Sequence, residues 1–587
     1  MAKRHGYREM AVTIMMFSCL HALQSQQFGI QLTSGSTITA SEGSELTITD
    51  GSLVNDGSFI AQGESTVIFN GNTIHEIGGA ETTAFSNLTV NNTAGLSMTG
   101  EAVTVSRILA CDGLLETNGK ITLLSGEEGT ALIDGARIGT VSGDVTMQRY
   151  LPTGFGYMYF SSPFTSAKVS ELGDESIESI YRYEENRLVG GMPASGWVSH
   201  NNPGNLLVPA SGYAVNLGPD AGPLTVDITG GVSNGDITIP VYNNNQPYTN
   251  GFNLVGNPYP SPVDWNLIDK LNSNIDNAVY YFSNSDIDQY GGTYVTYING
   301  LSNDGRATNI IPSMQGFFIH VTDGEWPVEG SLVMNNSVRV NDLDHPFIKS
   351  AVANQPKLIR LSAGFSSNPE RPDYTVIYFD DQATPEFDSR LDALKLLNTD
   401  ASVPSLFSIT PGASRLSING MPPPGGETLL VPLGIITQLD GNIKFGVSAL
   451  DSSLTSMKIT LIDSVAGAKR EIDLKSEYSV ELKAGDYTGR FYLKFAGVAT
   501  SVRHQAEEDP GILEAIANGG VLRLKIGSIE GQAGNLRIYD LTGRLLHEDT
   551  VRETGYYDYP ELQGNGIYII TYRTGSIRVS RKVALIN

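Results

Sequence analysis

"STITASEGSELTITDGSLVNDGSFIAQGESTVIFNGNTI", Ser36–Ile74, decides how this chain is read. Apolar residues come in pairs two positions apart, Leu46/Ile48 and Val67/Phe69, with Gly, Asn or Asp turns between them. A period of two is the signature of a strand. The pattern runs on through "NLTVNNTAGLSMTGEAVTVSRILACDGLLETNGKITLLSG", Asn87–Gly126, as Leu88/Val90, Val103/Val105 and Ile121/Leu123. It has no strict fixed period. One such pair cannot bury its own apolar face, but stacked rungs can. This predicts a β-solenoid-like repeat region over 26–143. A β-sandwich of short hairpins is the alternative.

Working outward, the segments after Asp144 are longer and more aromatic: "YMYFSSPF", "SIYRYEENRLV", "AVYYFSN" and "SMQGFFIHV". They alternate as strands and are broken by Pro/Gly/Asn loops, which predicts a large β-sandwich, of jelly-roll kind, over 144–345. A helix is expected after Asp264 in "WNLIDKLN". A second β-sandwich is expected over 346–498, with one helix in "DSRLDALKLLN", Asp388–Asn398. There Asp388 caps, and Leu391, Leu394 and Leu397 line a face. Residues 499–512 have no periodicity and mixed charge and read as a linker. Residues 513–587 are strand-like again. The fold class is therefore all-β and multidomain: an N-terminal β-solenoid-like segment, β-sandwich/jelly-roll domains, and a small C-terminal Ig-like β-sandwich.

Composition sets the outer bounds. The chain has 587 residues, 64 of them Gly, only 17% charged, with a formal net charge of −25. Turn-rich β structure with neutral faces fits that profile. An acidic chain lacks the basic footprint that nucleic acid requires, so no nucleic-acid partner is expected. It permits calcium at the surface without requiring it, and no cofactor is expected. Lys3, Arg4 and Arg8 precede the apolar run Met10–Ala22, and Ser25 lies at a suitable cleavage position, so residues 1–25 read as a signal peptide. Cys19 lies in that run, but Phe17 and Met16 fit a lipid-attachment signal poorly. The remaining cysteine, Cys111, has no partner for an internal disulfide, so stability must come from apolar burial.

His75, His200, His320, His345, His504 and His547 are spread singly, with no metal-ligand spacing. "GVSNG", Gly231–Gly235, matches the G-x-S-x-G pattern around Ser233. That motif needs a strand, a strained turn and a helix, whereas strands flank it here, so it reads as a hairpin turn. "SNSDIDQYGG", Ser283–Gly292, has the alternating oxygens of a calcium loop, but Tyr290 and the missing closing Glu break the pattern. Asp388 and Asp392 could act as paired carboxylates, although capping explains Asp388 and Arg390 would hold either ionised. Trp197, Trp265 and Trp326 could stack on sugar rings, with core packing the default. No catalytic, cofactor or metal residue is assigned, and no enzymatic activity is expected.

The C-terminus carries the most specific signal. "LRIYDLTGRLL" (Leu536–Leu546), "LQGNGIYIITY" (Leu562–Tyr572) and "RKVALIN" (Arg581–Asn587) follow in order, and the last 23 residues hold four basic side chains and no acidic one. Ile567, Ile569 and Thr571 point one way along this strand, and Tyr568, Ile570 and Tyr572 the other. This block resembles the type A C-terminal sorting domain of type IX secretion cargo from bacteria of the Bacteroidota. The motif residues are Tyr539, Asp540, Gly543, Arg544, Gly566, Tyr568 and Lys582. The opening "EDPGILEAIANGG" departs from the family's Pro-Asn-Pro start.

The resemblance implies passage through the periplasm, recognition by the type IX translocon, and release or attachment to surface lipopolysaccharide. The expected function is that of an exported cell-surface or secreted protein, non-enzymatic and adhesin-like or structural, with an unknown extracellular ligand. The alternative is a secreted hydrolase or carbohydrate-binding protein whose site lies in the loops of 144–345.

Overall fold

A computed structural model describes residues 29–497 apart from 173–177, 271–272, 344–356 and 425–427. Beyond them it describes 513–585 apart from 519–520, 528–532, 541–543, 561, 563–565 and 575–576. The expected signal peptide, the 499–512 linker, His345 and His504 lie outside the described residues. Two compact units result, residues 1–498 and 499–587.

The paired apolar residues of the N-terminal region stack into a β-solenoid of about 6 turns. Its strands form three parallel faces. On one face Leu46, Val67, Leu88 and Leu109 sit in register on successive rungs, followed two positions on by Ile48, Phe69, Val90 and Cys111. On another, Phe85 aligns with Val105, Leu123 and Met147. These ladders fill the interior, and Leu88, Val90, Leu109 and Leu123 have no solvent exposure. The turns are held by buried asparagines. Asn55 accepts from the N–H of Gly57, and Asn92 from those of Ala94 and Gly95. A side chain on Gly113 would collide with the carbonyl of Asn92, so the small residue there is obligatory.

The solenoid does not end at a free edge. Its last long strand, Asp144–Leu151, pairs in parallel with Ile121–Leu123 and on its other side antiparallel with Leu224–Gly231. The solenoid core therefore runs on into Phe160, Phe164, Tyr213, Val226 and Ile228. Arg149, on that strand, is buried. It donates from Nη1 to Met314 O and from Nη2 to Gln315 Oε1, which ties the last rung to the strand Gly316–His320.

Next come a four-stranded antiparallel sheet (Tyr157–Phe160, Tyr213–Asn216, Ser179–Tyr183, Trp197–Ser199) and a five-stranded one. The latter contains Phe252–Gly256, Gly316–His320, Val279–Asn284 and Gly292–Ile298. It is covered on both faces. Val255, Val279, Phe317 and Ile319 pack with Val241 and Leu332 of a two-stranded ribbon. Leu254, Tyr280 and Phe318 pack with Leu358, Val376 and Ile418 from the block that follows. A strand buried on both faces reads as one apolar run, as "GFFIH" does.

That block is a twelve-stranded sheet between Leu358 and Gly497. It folds over itself: Phe445 meets Phe491 at 4.9 Å between ring centroids, and Phe379 meets Phe495 at 5.3 Å. The C-terminal unit is a sandwich of a three-stranded and a four-stranded sheet around Leu524, Leu536, Ile538, Ile570 and Tyr572.

Neither expected helix forms. After Asp264 there is a single 3-10 turn, Trp265–Leu267, because Lys270 Nζ donates to the carbonyls of Trp265 and Ile268 that a helix would have used. Asp388–Asn398 is a turn followed by the two-residue strand Ala393–Leu394. Its buried residues are Asp392, Ala393, Lys395 and Asn398, while Leu397 is exposed.

Candidate functional site

The described residues among those singled out above have definite places. Ser233 lies between the strands Leu224–Gly231 and Ile237–Asn243, fully buried, with its N–H given to Pro163 O. No helix follows it. The acidic loop Ser283–Gly292 is neutralised from within the protein: Arg371 Nη1 donates to Ser285 Oγ, Asp286 Oδ1 and Asp400 Oδ2 at 2.9, 2.7 and 2.8 Å. Among the described residues no group of three or more His, Cys, Asp or Glu is placed to hold a metal ion. Cys111 is buried in its ladder, and burial pushes its thiol up to about 11.

The Asp388/Asp392 pair is divided by environment. Arg390 contacts Asp388 alone. Asp392 is buried and accepts from the N–H groups of Asp388 and Gly420 at 2.7 and 2.6 Å. Burial dominates over those bonds and raises its carboxyl to about 7, so the expectation that Arg390 keeps either acid ionised is corrected for Asp392. Asp392 is sealed between strands, with no route to a substrate.

The histidines stay apart. His75 Nε2 meets Thr73 Oγ1, His200 Nε2 meets Leu206 O, and His547 packs against Tyr559. His320 Nδ1 lies 2.6 Å from Asp276 Oδ2, and both are buried, so this pair ties the end of the strand Gly316–His320 to the connection before Val279–Asn284 inside the core.

In the C-terminal unit Tyr539, Asp540, Gly566, Tyr568 and Lys582, which the sequence led us to expect in a sorting motif, lie on three adjacent strands. Asp540 pairs with Tyr568, and Tyr568 with Val583, while Tyr539 and Lys582 both pair with Ile569. The Asp540 carboxylate accepts the Arg544 N–H at 3.0 Å. Gly566 starts a strand and pairs with Leu585, and Gly543 lies outside the described residues. Tyr539 is half-buried and outside the core; Ile538 is the core residue beside it, because alternation along Gly534–Asp540 turns Leu536 and Ile538 inward and Tyr539 away. Tyr568 packs at the core's margin, and Tyr572 is fully buried.

The three tryptophans separate. Trp265 is buried, and its Nε1 donates to Asn277 O. Trp326 is half exposed. Trp197 stands in a pocket of about 280 Å³, and this pocket is the candidate site. Strand alternation builds it. Tyr157 and Tyr159 share one face of their strand, and Tyr181 the same face of the sheet one strand further on, beyond Tyr213–Asn216. Phe282 and Tyr294 come across from the five-stranded sheet, paired with each other in register. Tyr290, from the acidic loop, stands at the mouth. Tyr159 and Phe282 stack at 4.9 Å and 19°, and Trp197 leans on Tyr159 at 6.0 Å. The hydroxyls of Tyr159 and Tyr294 bond each other at 3.0 Å. Burial pushes Tyr294 up to about 12 and raises Tyr159 well above the usual tyrosine value, so both are neutral at physiological pH. No Asp, Glu, Lys, Arg or His lines the pocket. It can hold a ring by dispersion and ring-face electrostatics, and it offers no nucleophile or acid–base pair.

This is an all-β protein of solenoid and packed sheets carrying an aromatic, uncharged pocket. The chain matches the family model described as a domain of unknown function, DUF8693, over residues 58–495, and it belongs to that family. The matched span runs from the second solenoid rung to the last strand of the twelve-stranded sheet, the same stretch that shares continuous cores. A solved structure described as "Biofilm associated protein - BSP domain" is 9% identical, with 79% of this chain and 65% of that chain covered and a TM-score of 0.11. The match thus spans less than two thirds of that chain, and at that score it carries no argument. No curated protein matches the sequence. No helix among the described residues is long and apolar enough to cross a membrane.

Proposed function

We propose that this chain is an exported, adhesin-like binding protein, cell-surface or secreted, that works by holding a ligand and not by transforming one. The observation that carries the reading is the pocket around Trp197 and Tyr159: open, aromatic, uncharged and set on rigid strands. Rigid elements keep such a site preformed, so little ordering cost is incurred on binding. We further propose export as type IX cargo, with the 513–587 unit recognised by the translocon and lipopolysaccharide attachment or release afterwards. The strand pairing that gathers Tyr539, Asp540, Tyr568 and Lys582 supports a shape that a receptor could read.

The test is attachment. Cells carrying the intact chain are compared with cells lacking it, and with cells carrying Trp197→Ala, on glycan-coated and protein-coated surfaces. Attachment should fall in both altered strains. Equal attachment in all three, together with product release from polysaccharide by the purified chain, would replace this reading with the hydrolase alternative.

A further inference from the structure

We infer that the aromatic pocket is a receptor for one neutral pyranose ring, the terminal sugar of an uncharged glycan; this rests on the binding role proposed above. Size comes first. At about 280 Å³ the pocket lies just below the usual range for small-molecule sites, about 300–1,000 Å³, which suits one ring and not a chain of rings. Charge comes second. With no charged residue in the lining and a net charge of −25 on the chain, a uronic or sialic acid would find no counter-charge and a repulsive field.

Chemistry comes third. A pyranose has an apolar face of C–H groups, slightly positive, and a rim of hydroxyls. The faces of Tyr159, Phe282 and Trp197 are negative at their centres and complement those C–H groups. The rim is also supplied. Among the described residues no partner takes the hydroxyls of Tyr181 or Tyr290, while the Thr399 hydroxyl at the wall is already engaged by the backbone of Gly292. A purely apolar guest would bury uncommitted hydroxyls, which costs free energy, whereas a sugar can bond them.

The purified full chain would be applied to an array of neutral hexose and N-acetylhexosamine termini beside sialylated, uronic and sulfated ones, with affinities followed by calorimetry. N-acetyl-tyrosinamide serves as an aromatic, non-sugar probe. Neutral termini should bind. Tyr290→Ala should weaken them about tenfold, the effect of one lost stacking contact, and Trp197→Ala at least as much. Because Tyr290 is 66% exposed, its variant should melt like the parent, which separates loss of binding from loss of fold. The sugar assignment is overturned if only acidic termini bind, or if neutral termini bind equally well to both variants. If the amide binds and no glycan does, the sugar assignment fails and the binding role stands. If nothing binds and cells attach without the chain, both fail.

Discussion

At the scale of single residues, two buried carboxylates should act on stability in opposite directions. Asp463 is buried, which alone would raise its pKa. Arg490 at 3.0 and 2.8 Å, the Ala466 N–H and the Tyr478 hydroxyl outweigh burial and hold it at about 2. Its folded pKa is depressed, so its contribution is present above the unfolded value of 3.8 and lost as pH falls toward about 2. Asp392 is the reverse. Its folded value of about 7 lies above 3.8, so its contribution is full below 3.8 and is lost as pH rises through about 7. Asp392→Asn should therefore flatten the fall in stability across that window, while lowering stability at the acid end, where its amide cannot accept both backbone N–H groups. Urea titrations at several pH values check this; an unchanged slope would show that Asp392 titrates normally. In the C-terminal unit, Tyr572→Ala should cost about 3–5 kcal/mol, the range for emptying an aromatic core site. Tyr568→Ala, at the margin, should cost less. Hydrogen exchange of the strand Gly566–Thr574 would rank the two.

At the scale of elements, Gly534 is the constraint that lets Tyr572 lie flat, because a Cβ there would overlap the tyrosine ring. Gly534→Val should therefore unfold the same unit that Tyr572→Ala loosens, seen as loss of its melting transition. The solenoid strands were legible from sequence because every partner in a ladder repeats the same local pattern: Leu46/Ile48 predicts the environment of Val67/Phe69. The two helices were misread because the deciding contacts are distant in sequence. Leu391, Leu394 and Leu397 have helical spacing by accident, while the residues between them are held by remote strands: Gly420 N–H on Asp392, and Asp373 on Lys395 at 2.5 Å. Nothing local announces such partners. The pocket was half legible. Alternation in "YMYF" and "SIYRY" puts Tyr157, Tyr159 and Tyr181 on defined faces, but only the tertiary fold brings Tyr290 and Phe282 to them.

At the scale of the molecule, the C-terminal unit is compact in its own right and should be separable from the rest in function. Deleting Gly511–Asn587 should leave the pocket's binding intact and strand the chain in the periplasm. Fractionation decides, since truncated protein found outside the cell would contradict the sorting proposal. Cutting before Asp144, by contrast, should yield insoluble protein, because it exposes Ile121 and Leu123 where Asp144–Leu151 now pairs, and removes Val226 and Ile228 from the shared core.

The parallel ladders of the solenoid also have a mechanical meaning. Their hydrogen bonds run from rung to rung, so a pull on the N-terminal end loads the outermost rung first, a few bonds at a time. Each rung leans chiefly on its neighbours. The last rung is anchored by Leu224–Gly231 and by Arg149 to structure on its far side. A load applied at the N-terminal side of the solenoid would therefore open rungs one by one from that side and absorb work in small steps, while the anchored last rung holds its shape.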